Sequence, residues 1–419
     1  MRLLWLSNMA PGPVRQVLTG ERDGGLWMDH VLDHLQSCEE IHLRMLCPWE
    51  YSKNGTIGNR WSFQTFLKEK PDFLSFEQEK LFRRQLREFQ PDVIHIWGTE
   101  FAHTLAMVQA CRQENLLGRV VISIQGLCHY VARHYTEGLP LPIVTRYTLR
   151  DLLRRDNILF QQKTFFRRGE NEIAALKQVS HIMGRTQWDR ACTRLINPGA
   201  EYHFCNETLR KSFYEGSWTY EKSEKHRIFT SSRLYPIKGF HYVLEAFSEI
   251  LREFPDAVLA VPGEDPVCSG KALLRQDSYA RYLKELTERY GLQGHIQYLG
   301  SLSETEMKAE FLKANVYVLP STIENSSNSL GEAMLLGVPA AASDVGGTAT
   351  ILKPGEGILY QSTAPYMLAD AVREIFLLKK EAEKMGAAAS AHARKTHDPA
   401  RNFETLMEIY RSIGGGECL

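Results

Sequence analysis

The residues best suited to chemistry lie in one polar stretch, Pro320-Ser-Thr-Ile-Glu324-Asn-Ser-Ser-Asn328-Ser329-Leu330-Gly-Glu332-Ala-Met-Leu-Leu-Gly337-Val-Pro339. It follows an apolar run at Val316–Leu319 and leads into a helical pattern. Ser329 and Glu332 stand three apart, the S-x-x-E spacing of a capping box, which predicts a helix entered near Ser329. A helix that starts just after a strand turns its unpaired backbone N–H groups and the positive end of its dipole toward one point. That point favours an anion such as a phosphate. Capping by itself accounts for Glu332. Its other use is a contact to ribose hydroxyls, since a carboxylate set against a phosphate would be repelled. Glu324 falls in the loop at the carboxyl edge of the expected sheet, where it is either solvated or turned to a ligand.

A second segment, Ser231-Ser-Arg233-Leu-Tyr-Pro236-Ile-Lys238-Gly239, follows another short apolar run. Arginine offers a two-pronged fork and lysine a compact point charge, so together they can hold one diphosphate. A solvated basic loop is the plainer alternative.

Such groups need a scaffold to bring them together. Short apolar runs at 3–6, 41–46, 93–97, 120–124 and 179–183 alternate with helical patterns, and the series restarts with runs at 228–231, 258–261, 296–299, 316–319, 340–342 and 358–360. Strands separated by helices imply parallel sheets. The polar segment 215–227 marks the restart. The expectation is an α/β fold of two Rossmann-like doubly wound domains facing a central cleft, residues 1–215 and 216–398. The last helix, within 399–419, is free to pack on either domain. In such sheets ligands bind at the carboxyl ends of the strands.

Composition narrows the classes. A length of 419 residues suits two cores, and fifty basic residues balance fifty acidic ones. That balance argues against a nucleic-acid partner. Eight cysteines are scattered without metal-site or disulfide-framework spacing, which predicts a reducing, cytoplasmic setting. The first apolar run is too short for a signal peptide and reads as a strand.

Arg233-x4-Lys238, then Glu324-x7-Glu332, Gly337-Val-Pro339 and Asp344-Val-Gly346-Gly347, together resemble the retaining GT-B glycosyltransferases of family 4. The resemblance runs over nearly the whole chain and is strongest from 228 to 360. It implies a bacterial-type enzyme of surface polysaccharide or glycoconjugate synthesis that takes a nucleoside-diphosphate sugar as donor. The acceptor would be a glycan or lipid-linked. It implies no cofactor and no metal, and the chain contains no Asp-x-Asp. By the same resemblance Arg233 and Lys238 neutralise the diphosphate, Glu324 holds hydroxyls of the donor sugar and Glu332 takes the ribose. The backbone around Asn328, Ser329 and Leu330 meets phosphate, and Gly24-Gly25 looks like the family's glycine loop.

Two departures stand out. Asn325-Ser326-Ser327 replaces the Gly-Phe-Gly of many relatives, and Gln125 stands where many place a histidine. Gln125 can hydrogen-bond a sugar but cannot act as a base. His103, His129 and His134 read as ordinary surface histidines. A front-face route to retention, with the departing phosphate oxygen taking the acceptor's proton, suits a site without a strong base.

Residues 146–168 carry seven basic residues against two acidic ones, interleaved with leucines and aromatics. This is either a domain helix with a solvated basic face or a peripheral contact to an anionic membrane. Rival readings are an oxidoreductase, disfavoured because no strand is followed by G-x-G-x-x-G, another GT-B sugar enzyme (epimerase or phosphorylase), and a non-catalytic sugar-nucleotide-binding subunit.

Overall fold

A computed structural model describes residues 1–21, 27–231, 235–265 and 276–415. The chain divides into two compact units. Met1–Tyr130, Thr164–Thr208 and His397–Leu419 form the first, and Val131–Lys163 with Leu209–Thr396 form the second.

The first unit holds an eight-stranded sheet: β1 (Arg2–Ser7), β2 (His42–Trp49), β3 (Asn54–Ile57), β4 (Trp61–Leu67), β5 (Val93–Trp97), β6 (Val120–Ser123), β7 (His181–Gly184) and β8 (Glu201–Phe204). Their order is β3-β4-β2-β1-β5-β6-β7-β8. All neighbours are parallel except β3 and β4, which form an antiparallel hairpin. Strands buried on both faces read as continuous apolar runs, and β1 shows why. Leu4 and Leu6 enter the core on one side of the sheet, and Leu3 and Trp5 the core on the other. The second core is closed by the helix Pro399–Gly414, whose Leu406, Met407, Ile409 and Tyr410 are buried against it. Tyr410 Oη accepts from Trp5 Nε1 at 3.1 Å and lies 2.5 Å from His95 Nδ1, so the tail is tied to the sheet's centre by polar contacts as well.

The second unit holds six parallel strands: β9 (Arg227–Phe229), β10 (Val258–Val261), β11 (Ile296–Tyr298), β12 (Val316–Leu319), β13 (Ala340–Ser343) and β14 (Ile358–Tyr360). Their order is β11-β10-β9-β12-β13-β14. The direction of winding therefore reverses between β9 and β12, and ligands of doubly wound sheets bind at such a reversal.

The division differs from a single cut between residues 215 and 216. The boundary falls after Thr208, the tail helix returns to the first unit, and 131–163 belongs to the second. Long-range contacts fix that excursion. Arg146 pairs with Glu285 at 2.8 Å, and the buried Asp151 accepts the Ser278 N–H at 3.1 Å. Neither contact has a local sequence signature. Strands β3, β4 and β8 were also not expected. β4 runs Trp-Ser-Phe-Gln-Thr-Phe-Leu with buried polar residues among its aromatics, and the residues of β8 alternate weakly at the end of the sheet.

Candidate active site

The loops that leave β9 and β12, the two strands flanking the winding reversal, carry the site. After β9 the chain makes a tight turn over Pro236–Lys238 that ends at Gly239. Gly239 has φ 64°, and a Cβ there would lie 1.8 Å from the carbonyl oxygen of Pro320 in the loop after β12. Only glycine allows the two loops to close. They are then joined by the Thr322 N–H donating to Ile237 O at 2.8 Å.

Lys238 is thereby aimed at Glu324. Its Nζ donates to Glu324 Oε2 at 2.7 Å, and Ser321 Oγ donates to the same oxygen at 3.1 Å. The loop after β13 supports the acid from behind. Gly347 N donates to Glu324 O at 3.0 Å, and Gly346, at φ 52°, comes so close that a Cβ would sit 2.0 Å from that oxygen. The Asp344-Val-Gly346-Gly347 motif is thus a backing plate for Glu324. Ser343 Oγ donates to Ser321 O at 2.6 Å and links the same two loops.

The helix beside them, Asn328–Leu336, begins one turn after Glu324. The expected capping box of Ser329 and Glu332 does not form. Ser327 is the N-cap, and its Oγ accepts the Leu330 N–H at 3.3 Å. Asn328 and Ser329 lie in the first turn, and Ser329 Oγ accepts from Tyr317 Oη at 2.9 Å. Two serines, 327 and 329, fit the N-cap preference equally well. What decides is the path of the loop, which the sequence does not display.

Released from capping, Glu332 is buried one turn into the helix and receives both arms of Arg210, Nε on Oε1 and Nη2 on Oε2, each at 2.6 Å. Burial pushes the Glu332 carboxyl above its usual pKa, and the Arg210 guanidinium opposes that rise. The two-point geometry is that of an ion pair. Arg210 also lies over the Phe213 ring, 4.6 Å from its centre. Sequence reading missed Arg210, because a lone arginine in Leu-Arg-Lys-Ser-Phe-Tyr has no motif spacing.

In the first unit, Gln125 follows β6 and sits in a closed ring with Arg185 and Glu207. Its Nε2 donates to Glu207 Oε1 at 2.5 Å and its Oε1 accepts from Arg185 Nη2 at 3.3 Å, while Arg185 Nη1 donates to Glu207 Oε2 at 2.5 Å. His103 is not a surface residue. It is buried, its Nε2 lies 2.8 Å from Asn8 Oδ1, and burial lowers its pKa to about 3. His134 pairs with Glu137 at 2.6 Å. Arg233, Gly24 and Gly25 lie outside the described residues.

Of the basic segment, Arg146 and Arg150 are held in ion pairs, the latter with Asp151 and Asp156, whereas Arg154 and Arg155 are exposed. The short helix Leu149–Arg154 leaves Leu152 and Leu153 exposed at 59% and 79%. No helix among the described residues is long and apolar enough to cross a membrane.

The two doubly wound sheets give the fold of the GT-B proteins. Residues 218–392 match the family described as glycosyl transferases group 1. Among curated proteins the chain is 27% identical over 185 residues to a D-inositol 3-phosphate glycosyltransferase of Corynebacterium urealyticum, covering 43% of this chain and 42% of the relative. It is also 27% identical over 177 residues to a GDP-mannose-dependent alpha-(1-6)-phosphatidylinositol monomannoside mannosyltransferase of Mycobacterium tuberculosis, covering 40% of this chain and 43% of the relative. These matches span less than half the length of each relative. Solved structures share the fold over the full length. A sucrose-phosphate synthase from Thermosynechococcus elongatus gives a TM-score of 0.73 at 16% identity, covering 100% of both chains. Anabaena HepE in complex with UDP-glucose gives 0.67 at 15% identity, covering 98% of this chain and 100% of that one.

Proposed function

We propose that this protein is a retaining glycosyltransferase that moves a sugar from a nucleoside-diphosphate sugar to a glycan or lipid-linked acceptor, in surface polysaccharide or glycoconjugate synthesis. The observation that carries the reading is the convergence of Lys238 and Glu324 on adjacent loops at the winding reversal, beside the start of the helix Asn328–Leu336. UDP-glucose in the similar HepE structure supports the donor class.

Transfer breaks the bond between the anomeric carbon and the diphosphate, so the leaving group gains negative charge as the sugar becomes oxocarbenium-like. A cation fixed beforehand near that charge lowers the barrier more than it tightens ground-state binding. Lys238 is the proposed cation, and Arg233 is its proposed companion. On donor binding the Lys238–Glu324 pair exchanges partners. The ammonium turns to phosphate oxygens, and the carboxylate accepts from sugar hydroxyls. The acceptor hydroxyl attacks from the face the diphosphate leaves, and its proton passes to the departing phosphate oxygen. Gln125, already engaged by Glu207 and Arg185, serves in positioning. No step here calls on a metal ion.

A panel of nucleotide sugars, scored by thermal shift and then by acceptor-dependent release of nucleoside diphosphate, tests the reading. Product NMR reports the anomeric configuration. Stabilisation by none of the panel counts against it, and an inverted product removes the front-face route.

The acceptor side includes a membrane approach through 146–168. Leu149, Leu152 and Leu153 stand exposed beside Arg154 and Arg155, an apolar foot ringed by positive charge. The phosphatidylinositol monomannoside in the mycobacterial relative's name is consistent with a lipid-linked acceptor. Flotation with anionic liposomes should be lost when Arg154 and Arg155 become Glu, and equal flotation of both proteins removes this part.

A further inference from the structure

The far end of the first unit's sheet holds a cluster unrelated to the donor residues. Strands β7 and β8 run parallel with His181 opposite Glu201 and Met183 opposite His203. Residues two apart on a strand share a face, so His181, Glu201 and His203 project from the same side. The imidazoles meet nitrogen to nitrogen, His181 Nδ1 lying 3.1 Å from His203 Nε2. Glu201 closes the triangle with Oε2 at 3.5 Å from His181 Nδ1. One ligand atom from each residue lies within 4.8 Å of the other two.

The spacing has a specific meaning. Two ligand nitrogens each about 2.0–2.1 Å from a tetrahedral zinc stand about 3.3 Å apart. The observed pair is within a few tenths of an ångström of that separation. The side chains of His181 and His203 are only 18% and 10% exposed, so the sheet holds both rings in place, while Glu201 at 66% is free to adjust its carboxylate. Two nitrogens and one carboxylate oxygen suit zinc-like ions and not magnesium or calcium, which prefer oxygen alone.

We propose that His181, Glu201 and His203 form a zinc site with a fourth position open to water. The ion would clip β8, the terminal strand of the sheet order, onto β7. An edge strand has one neighbour only, and a metal bridge adds a second constraint. The site is independent of the glycosyl-transfer reading and shares no residue with it.

The full chain, stripped with chelator and titrated with ZnCl2 in a calorimeter, should bind one zinc. His181→Ala and His203→Ala should each weaken binding by about tenfold or more, the loss seen when even an outer partner of a ligand is removed. Glu201→Gln should weaken it less. Zinc should raise the melting temperature of the wild type and leave the His181→Ala/His203→Ala double variant unmoved. Cobalt(II) loaded into unaltered protein gives a check that needs no variant, since nitrogen and oxygen ligation lacks a thiolate charge-transfer band. An imidazole–imidazole hydrogen bond alone would produce the same nitrogen spacing with no zinc bound, and that result overturns the proposal. So does zinc affinity unchanged in the double variant, or a thiolate band in the cobalt spectrum.

Discussion

Lys238 Nζ and Glu324 Oε2 lie 2.7 Å apart although 86 residues separate them along the chain. Each sits on a loop leaving one of two neighbouring strands, and each loop is fastened to its neighbour through backbone. The pair is therefore placed by the sheet, and the charges find each other already aligned.

Removing the cation tests this arrangement most directly. Lys238→Ala should lower kcat/KM for glycosyl transfer by about 10²–10³, or 3–4 kcal/mol, the loss typical of a preorganised transition-state contact. Glu324→Gln should also be impaired. Because the two groups touch, the double variant should lose less than the product of the single losses. Strictly independent effects in a steady-state assay of diphosphate release would contradict a shared role.

Arg210→Ala leaves the Glu332 carboxylate buried without its partner. Breaking a buried pair on one side costs about 3–5 kcal/mol, and the partial exposure of Arg210 puts the expected loss near the lower figure. The Arg210→Ala/Glu332→Gln double variant should recover part of that loss in urea denaturation, because no lone charge then remains. A double variant less stable than Arg210→Ala would show that the ion pair is not the stabilising element.

Gly346→Ala places a methyl group 2.0 Å from Glu324 O at a φ of 52°. Backbone strain and overlap together should cost more than about 2 kcal/mol. Some of the cost should appear as lost activity, since the displaced backbone is that of Glu324. Thermal melts and the transfer assay, run side by side, measure both parts.

A fourth expectation concerns pH. Burial lifts the Glu172 carboxyl to about 8, against hydrogen bonds from Thr99 and from the His129 and Cys128 N–H groups that pull it down. Geometry supports the protonated form. Thr99 has one hydroxyl proton but two oxygen neighbours, Gly126 O at 3.1 Å and Glu172 Oε2 at 2.5 Å. If Glu172 carries the proton, it donates to Thr99 and Thr99 donates to Gly126, so both contacts are satisfied. Between the ordinary value of 4.5 and about 8 the native state then binds one proton more than the unfolded chain. Its contribution is complete below the lower value and is lost as pH rises through the window, at a slope of about 1.4 kcal/mol per pH unit. Buried histidines such as His103 slope the other way, so the readout is the difference between wild type and Glu172→Gln. That difference should change steadily from pH 5 to 8, and a flat difference would mean the carboxyl is ionised throughout.

Much of this protein was legible before folding was considered. The apolar runs named most strands of both sheets, because strands covered on both faces must be apolar throughout. Lys238, Glu324 and Glu332 stood out by residue type in loops after apolar runs, and their combined spacing mattered only through its resemblance to one family's pattern. Glycines 239, 346 and 347 were visible as motif members, though their reason, contact with the backbone of Pro320 and Glu324, was not.

Other features depended on where distant segments met. Arg210 reaches Glu332, 131–163 joins the second unit, and the tail helix returns to Trp5 and His95 through contacts between residues far apart in sequence. The start of the helix at Ser327 in place of Ser329 was decided by one hydrogen bond whose geometry depends on the whole loop. Residue types and local periods determined most of the elements and nominated the candidate groups for chemistry. Only the tertiary structure decided their partners, because pairing energies between buried charges and close-packed backbones exist only after remote strands have been laid side by side.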